Sequence, residues 1–182
     1  ALATVSSATM GEQLRWMLAH SDNTLADQYC RFAARAAGAP ATYEGATSTV
    51  VSTLSAAGVP TEGLFLEDCS GLSSNDRISA NTLVGVLKAS YSGQGTSADT
   101  MRLLPWAGLV GTLSKRMTEE PAVGNVQAKT GALAEVSSLS GSVITRGGRV
   151  LLVSIGHDRV TAGALATRGR LDAFEEGLAG LN

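Results

Sequence analysis

Two tripeptides hold the side chains best suited to chemistry in this chain: Ser21-Asp22-Asn23 and Lys129-Thr130-Gly131. The first falls where one helical pattern stops and another starts, a turn that points Ser21 and Asn23 into a cleft as a hydroxyl and an amide. The second falls on a strand pattern and supplies Lys129 as a fixed cation and Thr130 as a hydroxyl, both able to hold a carboxylate. Gly131 leaves room for a ligand to lie against the strand. Each tripeptide alone also has an ordinary reading. S-D-N is a common helix-capping turn, and K-T-G is a strand end with a surface lysine. Asp22 is a structural turn residue either way, and His20 is a charge at a helix C-terminus rather than a catalyst.

Other chemistries find little support. Cys30 and Cys69 lie far apart and outside any C-x-x-C, and His20 and His157 are isolated. A zinc site needs three or four clustered ligands, so neither a metal nor another cofactor is expected. Neither G-x-x-x-x-G-K-S/T nor G-x-G-x-x-G occurs, so nucleotide binding has no motif behind it. Fourteen Lys+Arg against sixteen Asp+Glu leave a net charge of −2 and a pI near 5.7, which supplies no global attraction to nucleic acid. No apolar run approaches the ~18 residues of a membrane span.

The positioning elements follow from periodicity. Leu2 to Ser7 alternates loosely as a strand would. From Gly11 a helical face of Leu14, Met17 and Leu18 runs to the turn-rich His20-Ser21-Asp22-Asn23. Asn23 or Thr24 then caps a second helix with an apolar face of Leu25, Ala26, Tyr29, Phe32, Ala33 and Ala36, stopped by Gly38 and Pro40. A third helix spans about residues 44–57, Leu64-Phe65-Leu66 reads as a short buried strand, and Ser79 caps a helix through Leu87. Residues 93–125 read as short helices and loops. Period two then takes over at 126–132, 136–145 and 149–156, the last two joined at Gly147-Gly148 as a hairpin. A helix over about 164–181, with Leu165, Leu171, Phe174 and Leu178 apolar, closes the chain. This order is an α+β plan, a helix laid on an antiparallel sheet. With 182 residues, 44% hydrophobic and 16% charged, the chain has one domain's length and none of the composition of disorder. Only 4% is aromatic, so the core is built mainly from Ala, Val and Leu.

In this order and on these elements, the tripeptides are similar to the second and third motifs of the penicillin-interacting serine enzymes. The likeness extends to Glu67-Asp68-Cys69-Ser70-Gly71-Leu72-Ser73, to Leu104-Pro105-Trp106-Ala107-Gly108 and to Ala128-Lys129-Thr130-Gly131-Ala132-Leu133, and covers nearly all of residues 10–180. The chain resembles the C-terminal part of the D-alanyl-D-alanine carboxypeptidase/endopeptidase family, the low-molecular-mass penicillin-binding proteins with a large insertion between their first and second motifs. The resemblance implies part of a penicillin-binding-protein/β-lactamase-like transpeptidase domain, with peptidoglycan stem peptides and β-lactams as partners and an extracytoplasmic location. One departure concerns the nucleophile. The family's S-x-x-K is absent: the chain's three lysines, Lys88, Lys115 and Lys129, have Gly85, Thr112 and Val126 three positions earlier. The expectation is therefore a truncated chain, 1–182, lacking the N-terminal part with that motif. A smaller departure is Cys69, where the family usually has Gly; it could pair with Cys30, or both could be buried free thiols.

The resemblance also implies roles. A serine outside this chain attacks the penultimate D-alanine carbonyl, and a lysine beside it takes the proton. Ser21 relays a proton toward the leaving amine. Asn23 donates to a substrate carbonyl and steadies the catalytic lysine. Lys129 supplies positive potential for the terminal carboxylate and keeps the neighbouring lysine's pKa low, while Thr130 hydrogen-bonds that carboxylate. The N–H of Ala132 forms half of an oxyanion hole. A β-lactamase and a non-catalytic wall-binding domain are the alternatives. Strand 149–156, apolar on both faces, is expected to pair with the N-terminal portion of the same protein, and 1–182 alone to self-associate and bind no penicillin covalently.

Overall fold

The computed structural model describes residues 2–93, 100–161 and 163–182. The described residues form helices α1 (Met10–His20), α2 (Asn23–Ala36), α3 (Tyr43–Ala56), α4 (Ala80–Tyr91) and α5 (Thr100–Leu103). A 3-10 turn at Gly111–Leu113 precedes strands β1 (Val126–Ala132), β2 (Ser137–Ile144) and β3 (Val150–His157), and α6 (Ala164–Ala179) follows. The helices begin where side-chain oxygens satisfy the free N–H groups of a first turn. Thr9 and Glu12 form a capping box on α1, Thr42 caps α3 and Ser79 caps α4.

The sheet is antiparallel in the order β1-β2-β3, with Val126 opposite Val143 and Ile144 opposite Val150. The Gly147-Gly148 hairpin is closed by the Gly148 N–H donating to Thr145 O at 2.8 Å. One face of the sheet, including Val126, Ala128, Leu139 and Val143, packs with Leu178 and Ala179 of α6. On the other face Leu152 joins Leu87 of α4, Met101 and Leu104 around α5, and Leu18 of α1. The result is the expected α+β arrangement, with helices on both faces of the antiparallel sheet. Helices α2 and α3 form a satellite around Cys30, Ala34 and Ala46. Cys30 and Cys69 are bonded to each other as a disulfide, which decides between the two states the sequence left open.

Several expectations are corrected. Leu2 to Ser7 forms no strand: no described strand lies beside it, and Leu2 and Val5 are fully exposed. Leu64-Phe65-Leu66 is not a buried strand. Phe65 makes one isolated bridge, to Arg77, and is 52% exposed, because the intervening loop folds on its own side-chain bonds instead of laying down a partner strand. The cap of α2 is Asp22, not Asn23 or Thr24. Its buried residues are Cys30 and Ala34, which face α3, whereas Phe32 is 60% exposed and Ala33 and Ala36 are exposed too. On α6 the buried stripe runs through Thr167, Leu171, Glu175 and Ala179, so Leu165 and Phe174 face outward. Spacing of four sets that stripe, and it admits a threonine and a glutamate where hydrophobicity alone favoured leucine and phenylalanine. Of region 93–125, residues 94–99 lie outside the described residues; the described remainder is α5, the 3-10 turn and loops, as expected.

Candidate active site

Ser21 owes its position to a two-residue reversal between helices. It closes α1 in the left-handed region, φ 54° and ψ 51°, and the next N–H, of Asp22, donates back to Met17 O at 3.0 Å. Asp22 Oδ1 then accepts the Leu25 N–H at 3.0 Å and starts α2. Asp22 is thus structural, and Ser21 stands exposed at the apex. The 3-10 turn is pressed against this apex. A Cβ on Gly111, φ +60°, would lie 2.3 Å from Ala19 O, so only glycine lets that turn approach α1 and bring Thr112 beside Ser21.

The strand β1 supplies the other half. Leu133 N–H donates to Val136 O and Ile144 N–H donates to Asn125 O, so the odd-numbered residues of this segment form the hydrogen-bonded pairs with β2. The N–H groups of Ala128, Thr130 and Ala132 therefore point to the opposite edge. Part of that edge is occupied: Ala128 N–H donates to Pro105 O at 3.0 Å, and Ala107 N–H donates to Val126 O at 2.8 Å. The Leu104-Pro105-Trp106-Ala107-Gly108 segment thus closes the edge over 126–128. Beyond it the outward N–H groups of Thr130 and Ala132 have no hydrogen-bond partner among the described residues.

Lys129 leaves the strand toward α1. Its Nζ donates to Ser21 Oγ at 2.8 Å, across 108 residues of sequence, and to the Thr130 carbonyl at 2.6 Å. Burial holds its pKa below the ordinary lysine value. Thr130 Oγ1 donates to Thr112 Oγ1 at 3.0 Å. A cavity of about 320 Å³ opens here, lined by Ser21, Thr130, Gly131 and Ala132 together with Thr112, Arg116, Ser137 and Arg168. A Cβ at Gly131 would sit 2.3 Å from Ser138 Oγ, so the strand carries no side chain there. Asn23, the first residue of α2, is half-buried; it does not line this cavity, and its side chain makes no hydrogen bond among the described residues.

The geometry combines a cation bonded to a hydroxyl with two outward N–H groups on an open strand edge, features suited to acyl transfer. The model of the D-Ala-D-Ala carboxypeptidase 3 (S13) family matches residues 1–178. The chain belongs to this family. It is 40% identical over 159 residues to carboxypeptidase DacB of Mycolicibacterium smegmatis, covering 85% of this chain and 35% of that protein. It is 36% identical over 148 residues to a D-alanyl-D-alanine carboxypeptidase of an Actinomadura species, covering 78% of this chain and 27% of the other. Among solved structures it resembles penicillin binding protein 4 (dacB) from Haemophilus influenzae, complexed with a β-lactam, at a TM-score of 0.81 and 31% identity, over 92% of this chain and 40% of that one. The chain spans about a third of the length of the curated relatives it matches.

In this S13 chain the Glu67-to-Ser73 segment is a loop tied to itself. Asp68 accepts the N–H groups of Gly71 at 2.6 Å and Ser73 at 2.7 Å, which outweigh the effect of its partial burial and lower its pKa. Asp27 of α2 accepts the Cys69 N–H at 3.1 Å, beside the disulfide. Sequence reasoning did not single out Thr112, Arg116 or Arg168. Thr112 comes from a region without periodicity. Arg168 and Asp172 sit four apart on α6 and read as an ordinary helix ion pair. The structure pairs Asp172 with Arg116 instead, through Nε at 3.1 Å and the neighbouring guanidinium nitrogen.

Proposed function

We propose that this chain supplies the S-D-N and K-T-G half of a penicillin-sensitive serine D-Ala-D-Ala carboxypeptidase/endopeptidase acting on peptidoglycan stem peptides outside the cytoplasm. The observation that carries the reading is the Lys129 Nζ to Ser21 Oγ hydrogen bond at 2.8 Å, beside the open edge of β1. A lysine donating to the hydroxyl oxygen leaves the hydroxyl proton free for the leaving amine. Ser21 is therefore the proton relay: its hydroxyl proton passes to the leaving amine while its oxygen takes up a proton from the lysine beside the nucleophile, and Lys129 orients it. The outward N–H of Ala132 is one oxyanion donor. Thr130 and Gly131 let an extended peptide run along the strand edge. Asn23, at the start of α2, lies outside this cavity, so its contact would be with a part of the substrate beyond it.

The nucleophilic serine, its lysine and the second oxyanion donor come from a segment outside residues 1–182. That N-terminal portion also covers the second edge of β3, which has no partner strand among the described residues. The disulfide fits an oxidising compartment.

Acylation of the intact protein by labelled penicillin tests this. A stable adduct is expected, with slow hydrolysis of a chromogenic β-lactam. Lys129→Ala should slow acylation by about 10²–10³-fold, in line with the loss of a fixed electrostatic group at a reacting centre, while the fold persists. Lys129→Arg should recover only part of the rate, because a planar fork does not replace a compact ammonium. Wild-type acylation in the Ala variant would refute the role, rapid β-lactam turnover would make the protein a β-lactamase, and no adduct at all would leave a wall-binding domain.

A further inference from the structure

Two cations, Arg116 and Arg168, line the cavity and a third, Lys129, reaches its rim through Ser21, and their partners differ. Lys129 spends two of its donors on Ser21 and the Thr130 carbonyl. Arg116 is neutralised by Asp172. Arg168, half-buried on the same helix as Asp172, has neither an ion pair nor a hydrogen bond among the described residues. The pairing of Asp172 with Arg116 takes away the acid that would otherwise compensate Arg168 one turn away. Among the described residues no Asp or Glu lines the cavity. Next to this uncompensated guanidinium, Thr130 and Thr112 share one hydrogen bond, so one hydroxyl of the pair always retains a proton for an outside acceptor.

We propose that Arg168 is the cation that seats the substrate's terminal carboxylate, with the Thr112–Thr130 hydroxyl pair as its second contact, an assignment that rests on the peptidase reading above. A guanidinium presents two parallel N–H groups that match the two oxygens of a carboxylate, which a lysine ammonium does not. The two nearby cations then divide the work. Lys129 acts at the reacting bond through Ser21, and Arg168 recognises the end of the chain. The ligand class is a peptide ending in a free carboxylate, or a β-lactam whose ring carboxylate takes the same place.

The test compares an N-acetylated peptide ending in D-Ala-D-Ala with its C-terminal amide, as substrates of the intact protein. The wild type should prefer the carboxylate. In Arg168→Ala that preference, as a ratio of kcat/KM values, should fall by about 10- to 100-fold, mostly through KM, the size of one charged hydrogen-bonded contact. Arg168→Lys should fall in between. Lys129→Ala should slow both peptides and keep the ratio, and Arg170→Ala, outside this cavity, should keep it too. If the Ala variant fails to fold, Arg168→Gln is read by the same ratio. An unchanged preference in the folded Arg168 variant overturns the assignment while leaving the peptidase reading intact. A wild-type protein inert to both peptides and to penicillin overturns the peptidase reading and this assignment with it.

Discussion

Replacing Glu175 by Gln should change how stability depends on pH. Glu175 lies on the buried stripe of α6, 1% exposed, and its Oε2 has no hydrogen-bond partner among the described residues. Burial, reinforced by the negative charge of Asp172 three residues earlier, raises its pKa from 4.5 to about 7. The folded protein therefore holds this proton more tightly than the unfolded chain does. The associated stability is fully present below the unfolded value near 4.5 and is lost as pH rises through about 7. A rise from 4.5 to about 7 corresponds to about 3 kcal/mol at ~1.4 kcal/mol per pH unit. Urea unfolding of the intact wild type and of Glu175→Gln, at intervals from pH 4 to 8, gives the comparison. The wild type should lose about 3 kcal/mol relative to the variant across that range, most of it between pH 5 and 7. Because the readout is the difference in slope, it does not depend on how well a buried glutamine fits. Parallel pH profiles would refute the reasoning, since they would mean that Glu175 is ionised at the same pH in both states.

Two further outcomes follow from named contacts. Removing the Cys30–Cys69 bond, which closes a separation of 39 residues, should cost about 4 kcal/mol by chain-entropy reasoning, read as a fall in melting temperature of Cys30→Ala/Cys69→Ala under non-reducing conditions. Gly131→Ala should destabilise by no more than about 1 kcal/mol, because Ser138 Oγ, the one atom in the way, can turn aside about χ1, and adding Ser138→Ala should recover what is lost. Failure of the second change to rescue the first in thermal melts would place the strain elsewhere.

The elements that carry motifs were legible because local signals agreed with one another. The S-D-N turn has a helical pattern on each side, and K-T-G lies in the first of three successive period-two runs, the last two joined by a Gly-Gly hairpin. The S-D-N turn also retains its structural reading, since Asp22 caps a helix, whereas Lys129 is not the surface lysine of an ordinary strand end but is half-buried and bonded to Ser21. What was not legible depends on packing between distant segments. Which side of α2 is inside follows from α3 and the disulfide rather than from the helix's own hydrophobicity, so Phe32 is exposed and Cys30 buried. The stripe of α6 contains a buried glutamate that no hydrophobic pattern selects. Arg168 is without a partner among the described residues because Asp172 finds Arg116, 56 residues away in sequence. Leu64-Phe65-Leu66 has strand composition, but strand formation needs a partner, and a self-bonded loop provides only Arg77.

The left-handed backbone of Ser21 bears on how this protein would respond to selection. At φ 54°, an L-residue is held at a disadvantage of about 1–2 kcal/mol that glycine escapes. Selection for heat resistance alone should therefore enrich Ser21→Gly, a change that relaxes the joint between α1 and α2 and deletes the hydroxyl that Lys129 holds. Variants gathered by thermal screening would drift toward sturdier proteins without a relay, whereas a screen that also demands penicillin acylation should keep serine at this apex.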